Sequence, residues 1–236
     1  MIKISILLLF FLEGCLLAQD IGRQQSIDST VVRYMRTANK HSVLYYGNNQ
    51  DWLMRTTNHP FLVDVIYAKA HLSYHNVIYP ETLLRLDLCR DELITLSPEF
   101  RHIVLFPENV DFAELHGKHI IYFRSDSLPG CPSSGYYFLL HSQKCRVLEK
   151  QSATLMTANS QQRRVEYYYT FSTRYYLYKD DFYYTIRNQR RLLKVLYPYK
   201  KELKRFISAN HLQFWGNAEE FLIRTVGEYE KLSGWQ

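Results

Sequence analysis

The chain has 236 residues, with 29 Lys/Arg against 23 Asp/Glu and a formal net charge of +6. Hydrophobic residues make up 47%, which fits a folded core and excludes an intrinsically disordered chain. No apolar run approaches the roughly 20 residues of a transmembrane helix, so a helical membrane span is excluded.

Met1-Ile2-Lys3 supplies a positive start, Ile4 to Leu12 an apolar run, and Leu16-Leu17-Ala18 a small residue before Gln19. This order reads as a bacterial-type secretory signal peptide over residues 1–18, cleaved after Ala18. Leu12-Glu13-Gly14-Cys15 offers an alternative, lipidation of Cys15, with Glu13 a poor fit. Residues 19–60 form the lead-in. Ser29 to Asn39 is expected to be a short helix, with Val31, Val32, Met35 and Ala38 at helical spacing. Ser42 to Tyr46 is expected to be a strand ending at Gly47-Asn48-Asn49.

Residues 61–186 read as an antiparallel β body. Expected strands are Leu72–Ile78, Leu83–Cys89, Glu92–Leu96, His102–Phe106, Asp111–Leu115 and His119–Arg124, with turn residues between most of them. After a Pro/Gly/Ser loop over Asp126–Ser134 come Gly135–His141 and Cys145–Lys150, a hairpin about Ser142-Gln143-Lys144. Ser152–Gln162 reads as a polar loop and Val165–Thr170 as a strand. Tyr175–Tyr178 and Phe182–Ile186 flank an acidic hairpin turn. Residues 187–236 change to helical period. Leu192, Leu193 and Leu196 mark a first helix stopped by Pro198. Leu203, Phe206 and Ile207 mark a second. Asn217 and Glu220 approximate a capping box for a third, with Leu222, Val226, Tyr229 and Leu232 on one side.

Tyrosine is unusually common, with 20 copies against 13 Phe and 3 Trp. It suits half-buried strand faces, and also surfaces that bind glycans or proteins. The charge is uneven: residues 150–206 hold 13 Lys/Arg against four carboxylates. Arg190, Arg191, Lys194, Lys200, Lys201, Lys204 and Arg205 fall where apolar neighbours must face a core. They are expected to form a basic patch drawn to anionic membrane surfaces or an acidic partner. Export argues against nucleic acid.

Asn58-His59-Pro60-Phe61, Leu84-Arg85-Leu86-Asp87-Leu88, Arg90-Asp91-Glu92-Leu93, Leu115-His116-Gly117, Pro129-Gly130-Cys131-Pro132, Arg174-Tyr175-Tyr176-Leu177 and Lys200 to Ile207 carry a resemblance. In combination the chain resembles a group of uncharacterised secreted proteins of Bacteroidetes-type bacteria. The resemblance implies an envelope location and a β-rich body with a helical tail; it carries over no catalytic residue.

Cys131 and Cys145 are close enough in sequence to pair, and such a loop would contribute on the order of 3 kcal/mol. Cys89 reads as apolar filler. His71 and His75 are expected on one strand face, and His116 and His119 about a turn. Neither pair has a third ligand nearby, so no metal and no cofactor is expected. Asp87, Asp91, Glu92, Glu108, Asp111 and Glu114 are turn and surface carboxylates from which a hydrolytic pair would have to be drawn.

The fold expected is α+β: an antiparallel β-meander of roughly 8 to 11 strands, barrel-like or sandwich, with one N-terminal helix and a C-terminal helical segment. The function expected is an exported, non-catalytic envelope module binding a protein or glycan, periplasmic or outer-membrane associated. The alternative is an exported hydrolase using a carboxylate pair or Cys131.

Overall fold

The computed structural model describes residues 43–45, 47–49, 56–64, 66–159 and 165–234. The expected signal peptide, Cys15, Ala18 and the Ser29–Asn39 helix lie outside the described residues. The chain divides into two units, Met1–Tyr46 and Gly47–Gln236. In the first, Val43–Tyr45 is a 3-10 turn with Leu44 buried, where a strand was expected.

The second unit is strand-rich. Among the described residues eleven strands form one antiparallel sheet: β1 (Asn48–Asn49), β2 (Ala68–Tyr74), β3 (Val77–Asp87), β4 (Glu92–Leu96), β5 (His102–Val104), β6 (Val110–Leu115), β7 (Lys118–Phe123), β8 (Gly135–Ser142), β9 (Arg146–Asn159), β10 (Val165–Lys179) and β11 (Phe182–Ile186). Their order is β1-β5-β4-β3-β2-β6-β7-β8-β9-β10-β11. Three helices follow: α1 (Gln189–Val195), α2 (Lys200–Ala209) and α3 (Ala218–Leu232).

Two-residue turns set much of the register. His75-Asn76, His116-Gly117 and Asp180-Asp181 each have positive φ at both residues. That is the hand that matches strand twist in a tight hairpin. The expected strand Leu72–Ile78 is therefore two strands with a turn inside it. His75 stands in the turn, so it does not share a strand face with His71. The expected loop Ser152–Gln162 is mostly strand, because β9 keeps pairing with β10 out to Asn159. The two strands expected at Val165–Thr170 and Tyr175–Tyr178 are one, β10.

The sheet curls. β5 and β6 stand four lateral steps apart in the strand order, about 19 Å in a flat sheet. The linker Leu105–Asn109 has Pro107–Asn109 wound into a 3-10 turn and reaches only about 16 Å. Strand bulges at Ala70/Leu72, Ser73/Tyr74 and Leu139/His141 supply bends.

The helices cover one face of β8–β11. Val147, Leu177 and Ile186 from the sheet meet Leu193, Leu203, Ile207, Leu222 and Val226 in one buried cluster. Phe206, expected here too, is partly buried against it. The next residue on β9, Leu148, joins Phe123, Tyr137 and Tyr183 on the opposite face. Alternation along the strand assigns these two clusters to the two sides of the sheet. Each fully buried leucine contributes about 1.5–3 kcal/mol.

The same alternation separates two of the cysteines. Cys145 is buried in the helix-side cluster, and Cys131 packs against the opposite one. The expected Cys131–Cys145 bridge is not formed: the sheet stands between the thiols, and both are free.

Candidate functional site

The segment between α2 and α3 is anchored by alternation. Leu212 and Phe214 are buried, while His211, Gln213 and Trp215 face out. His211 takes a left-handed φ of 52° and turns the chain out of α2. Leu212 N–H closes that end by donating to the Ile207 carbonyl at 3.0 Å. Asn217 then caps α3, its side chain accepting from Glu220 N–H.

Phe214 pins this segment to both layers. Its ring meets Tyr175 of β10 edge-on at 6.1 Å and Phe221 of α3 at 5.6 Å. Trp215 follows at 5.7 Å, nearly perpendicular, and is 86% exposed. An aromatic ridge seated through Phe214 thus projects into solvent.

A cleft flanks the ridge on each side. The larger, about 800 Å³, is lined by Thr173–Tyr176 of β10, Thr185–Arg187 at the end of β11, and Phe214 to Gly216 with Ala218. The second, about 750 Å³, lies between the ridge, the start of α1 and α2, and takes in Arg190, Leu193, Lys200 and Lys204. A smaller hollow of about 370 Å³ joins Thr185, Arg187, Asn188 and Arg191.

These walls carry one sign of charge. Arg174, Arg187, Arg190, Arg191, Lys200 and Lys204 line them, and among the described residues no Asp or Glu does. Among the described residues none of these six cations has an ion-pair partner. Clustered cations against apolar walls focus a positive potential outward.

Behind the larger cleft lies a polar anchor on the helix-facing side of the sheet. Lys118 reaches Glu149 at 3.4 Å and Glu219 at 2.5 Å. Burial pushes the Glu149 carboxyl up, against the pull of Gln151 and Lys118. Burial, helped by Glu149 and Glu219, pushes the Tyr175 phenol up to about 12, so it stays a neutral donor at the cleft wall.

Of the seven cations expected to form the basic patch, Arg190, Arg191, Lys200 and Lys204 line these hollows. Lys194, Lys201 and Arg205 are exposed but line none of the three. On α2 the i, i+4 pair Lys200 and Lys204 shares one face, and Lys201 with Arg205 turns about 100° away. Arg174, Arg187, Phe214 and Trp215 carry no signal in helical periodicity and emerge only from the fold.

The expected carboxylates hold turns rather than gather at the clefts. Asp87 Oδ1 accepts from Cys89 and Arg90 N–H at 2.8 and 3.0 Å. Asp111 Oδ2 accepts from Ser73 and from Asn76 N–H, at 2.8 and 2.9 Å. Asp91 Oδ1 accepts from Lys150 at 2.6 Å, beside a Gly135 whose Cβ would lie 2.1 Å from Asp91 Oδ2. Glu114 lies 3.7 Å from His119, whose ring stacks on Phe112. Cys131 Sγ accepts from Asp126 N–H at 3.3 Å and sits near Ser125 Oγ. Among the described residues no three His, Cys, Asp or Glu side chains are grouped to hold a metal ion.

Comparison with family models, with curated proteins and with solved structures returns no match.

Proposed function

We propose that this chain is a non-catalytic binding module of the cell envelope that takes an anionic ligand on the Trp215 ridge and its flanking clefts. The observation that carries the reading is the exposed tryptophan between cation-lined walls that hold no carboxylate among the described residues. An exposed tryptophan is a common anchor in a complex, where its ring fills a pocket of the partner. Unpaired cations on both sides give an anionic ligand charge complementarity, and a Debye length near 10 Å at 0.1 M salt makes the attraction salt-sensitive.

Export, through cleavage after Ala18 or lipidation of Cys15, places the ligand among envelope proteins, glycans and anionic lipids rather than nucleic acids. The same reading takes the curled strands as a barrel-like body that carries the helical layer.

The test uses the full chain with dextran sulfate and, separately, phosphatidylglycerol vesicles across a salt series. Trp215→Ala and the pair Arg187→Glu/Lys204→Glu are expected to weaken association roughly tenfold or more. Lys201→Glu/Arg205→Glu, of equal charge change but outside the clefts, is expected to weaken it little. Equal losses from the two pairs, with Trp215→Ala indifferent, would reduce the clefts to diffuse surface charge and end this reading.

A further inference from the structure

We propose that the outer edge of β10 at Phe171 and Thr173 is a strand-addition site for an acidic, extended polypeptide segment of a partner protein. The segment continues the line of β11 into the larger cleft. The proposal rests on the reading of the clefts as an anion site and names the ligand class for it.

β10 is paired with β9 along nearly its whole length, from Val165 to Tyr178. On its other side β11 reaches only from Tyr175 to Lys179. In an antiparallel ladder successive residues direct their N–H and C=O to alternate sides. The Tyr167 carbonyl accepts from Thr57 N–H on the outer side at 2.9 Å. Tyr169 N–H and carbonyl pair with the Asn58 side-chain amide at 2.7 and 2.8 Å. The register runs without a break from Tyr167 to Tyr175. Phe171 and Thr173, of the same parity, therefore turn their backbone groups to that outer side. Among the described residues nothing bonds them there. Both residues are exposed.

The protein already uses this edge as a peptide would. The Asn58 carboxamide offers Tyr169 one acceptor and one donor, the pair that an added strand presents. The gap that follows exists because β11 stops at Ile186 and Asn188 caps α1, which takes the chain away from the sheet.

The cleft reaches from the helix-side face, where Phe214 lies on Tyr175, to the edge of the strand. It is lined by four consecutive residues, Thr173–Tyr176, and three more, Thr185–Arg187. A hollow over one face of a sheet meets every second residue of a strand. Consecutive residues line a hollow only when it runs alongside the backbone. Arg174 and Arg187 border it, and among the described residues no carboxylate does. The free backbone groups select an extended polypeptide, and the two guanidinium groups select an acidic one.

The test uses the full chain and a fluorescent seven-residue peptide alternating Glu with Val. A second peptide of the same charge carries N-methyl groups on alternate residues, which removes backbone donors. The plain peptide is expected to bind, and to slow hydrogen exchange at the Phe171 and Thr173 amides. N-methylation of the strand-facing amides is expected to weaken binding roughly tenfold or more. Phe171→Pro removes an outward N–H at a position that edges the sheet and lines none of the three hollows, where an edge strand tolerates proline, and is expected to reduce peptide binding while dextran sulfate binding persists.

Equal binding of plain and methylated peptides would overturn the proposal whether or not the proline variant folds. Dextran sulfate binding through Trp215 and the cations, without peptide binding, would also overturn it and leave the anion-site reading standing. Failure of both probes ends both. A dimer in gel filtration that persists in Arg187→Glu and excludes the peptide would give the edge to a second copy of the chain and overturn the proposal.

Discussion

Ala153 N–H donates to the Leu88 carbonyl at 2.9 Å, although Ala153 lies on β9 and Leu88 just beyond β3, with four strands between them in the sheet order. That bond forms only because the sheet curls until the β3–β4 turn meets β9. The contact is reinforced next door, where Lys150 bonds Asp91 at 2.6 Å and the Tyr136 carbonyl at 2.9 Å.

Asp91→Asn is therefore expected to destabilise by about 2 kcal/mol at neutral pH, since it leaves the Lys150 ammonium partly buried without its counter-charge. Asp91 is 32% exposed, which holds the loss below that of a fully buried pair. Burial lowers the Lys150 pKa and Asp91 raises it. Without Asp91 the folded state sheds this proton earlier than the unfolded chain does. Its deficit should then narrow as pH rises toward 10. Urea midpoints of the two proteins between pH 7 and 10 measure the gap, and a constant gap would contradict this account.

Phe214 and Trp215 are adjacent and should behave oppositely. Phe214→Ala removes a ring packed on Tyr175 and Phe221 and should cost about 3–5 kcal/mol. Trp215→Ala should change stability by less than about 0.5 kcal/mol while removing association with anionic probes. Thermal unfolding and probe binding on the same two variants separate the roles. A large loss of stability in Trp215→Ala would make the ridge a packing element instead.

Alkali should unfold the protein through groups that burial holds protonated. The Cys145 thiol and the Tyr137 and Tyr175 phenols are each pushed up to about 12. The unfolded chain releases these protons earlier, the thiol from about pH 8.5 and the phenols from about pH 10. Stability is full below those values and falls as pH rises toward about 12, by up to about 1.4 kcal/mol per pH unit for each group. Denaturation midpoints at pH 8 to 11 should fall accordingly. Cys145→Ala should flatten the segment between pH 9 and 10 and leave the steeper fall above it. An unchanged slope in that variant would be inconsistent with a thiol buried as described.

Thiol reactivity should follow exposure. Cys89 is exposed, Cys131 is intermediate and Cys145 is buried. Iodoacetamide is expected to modify Cys89 first and Cys145 only on unfolding, with no Cys131–Cys145 disulfide in non-reducing peptide mass spectrometry. A bridge between those two would contradict the assignment of the thiols to opposite faces of the sheet.

Several elements were legible because local chemistry and tertiary structure agree. Phe182–Ile186 alternates and follows a tight acidic turn, and α2 shows Leu203 and Ile207 opposite its lysines. The β2–β3 hairpin was not legible, since its turn is His75-Asn76, with no glycine to announce two positive φ values. The outer half of β9 carries no sequence signal, since Thr154 to Thr157 show no apolar–polar alternation and stand exposed in the fold. Their strand state comes from pairing with β10 and not from burial. The helical cations of the site show themselves by period. Arg174 sits where two strands were expected to be interrupted, and Arg187 at a junction between elements. Trp215 owes its exposure to Phe214 beside it, and sequence spacing carries no such information.

The triple role of Phe214, touching β10, α3 and Trp215, has a thermodynamic consequence. The ridge has its shape only while the helical layer is seated on the sheet, so a ligand that needs the ridge binds only the seated form. Mass action then ties occupancy to the integrity of the fold. A ligand at a hundred times its dissociation constant adds about 2.7 kcal/mol to the seated state. Occupancy of the clefts should thus hold the helices in place against heat and denaturant.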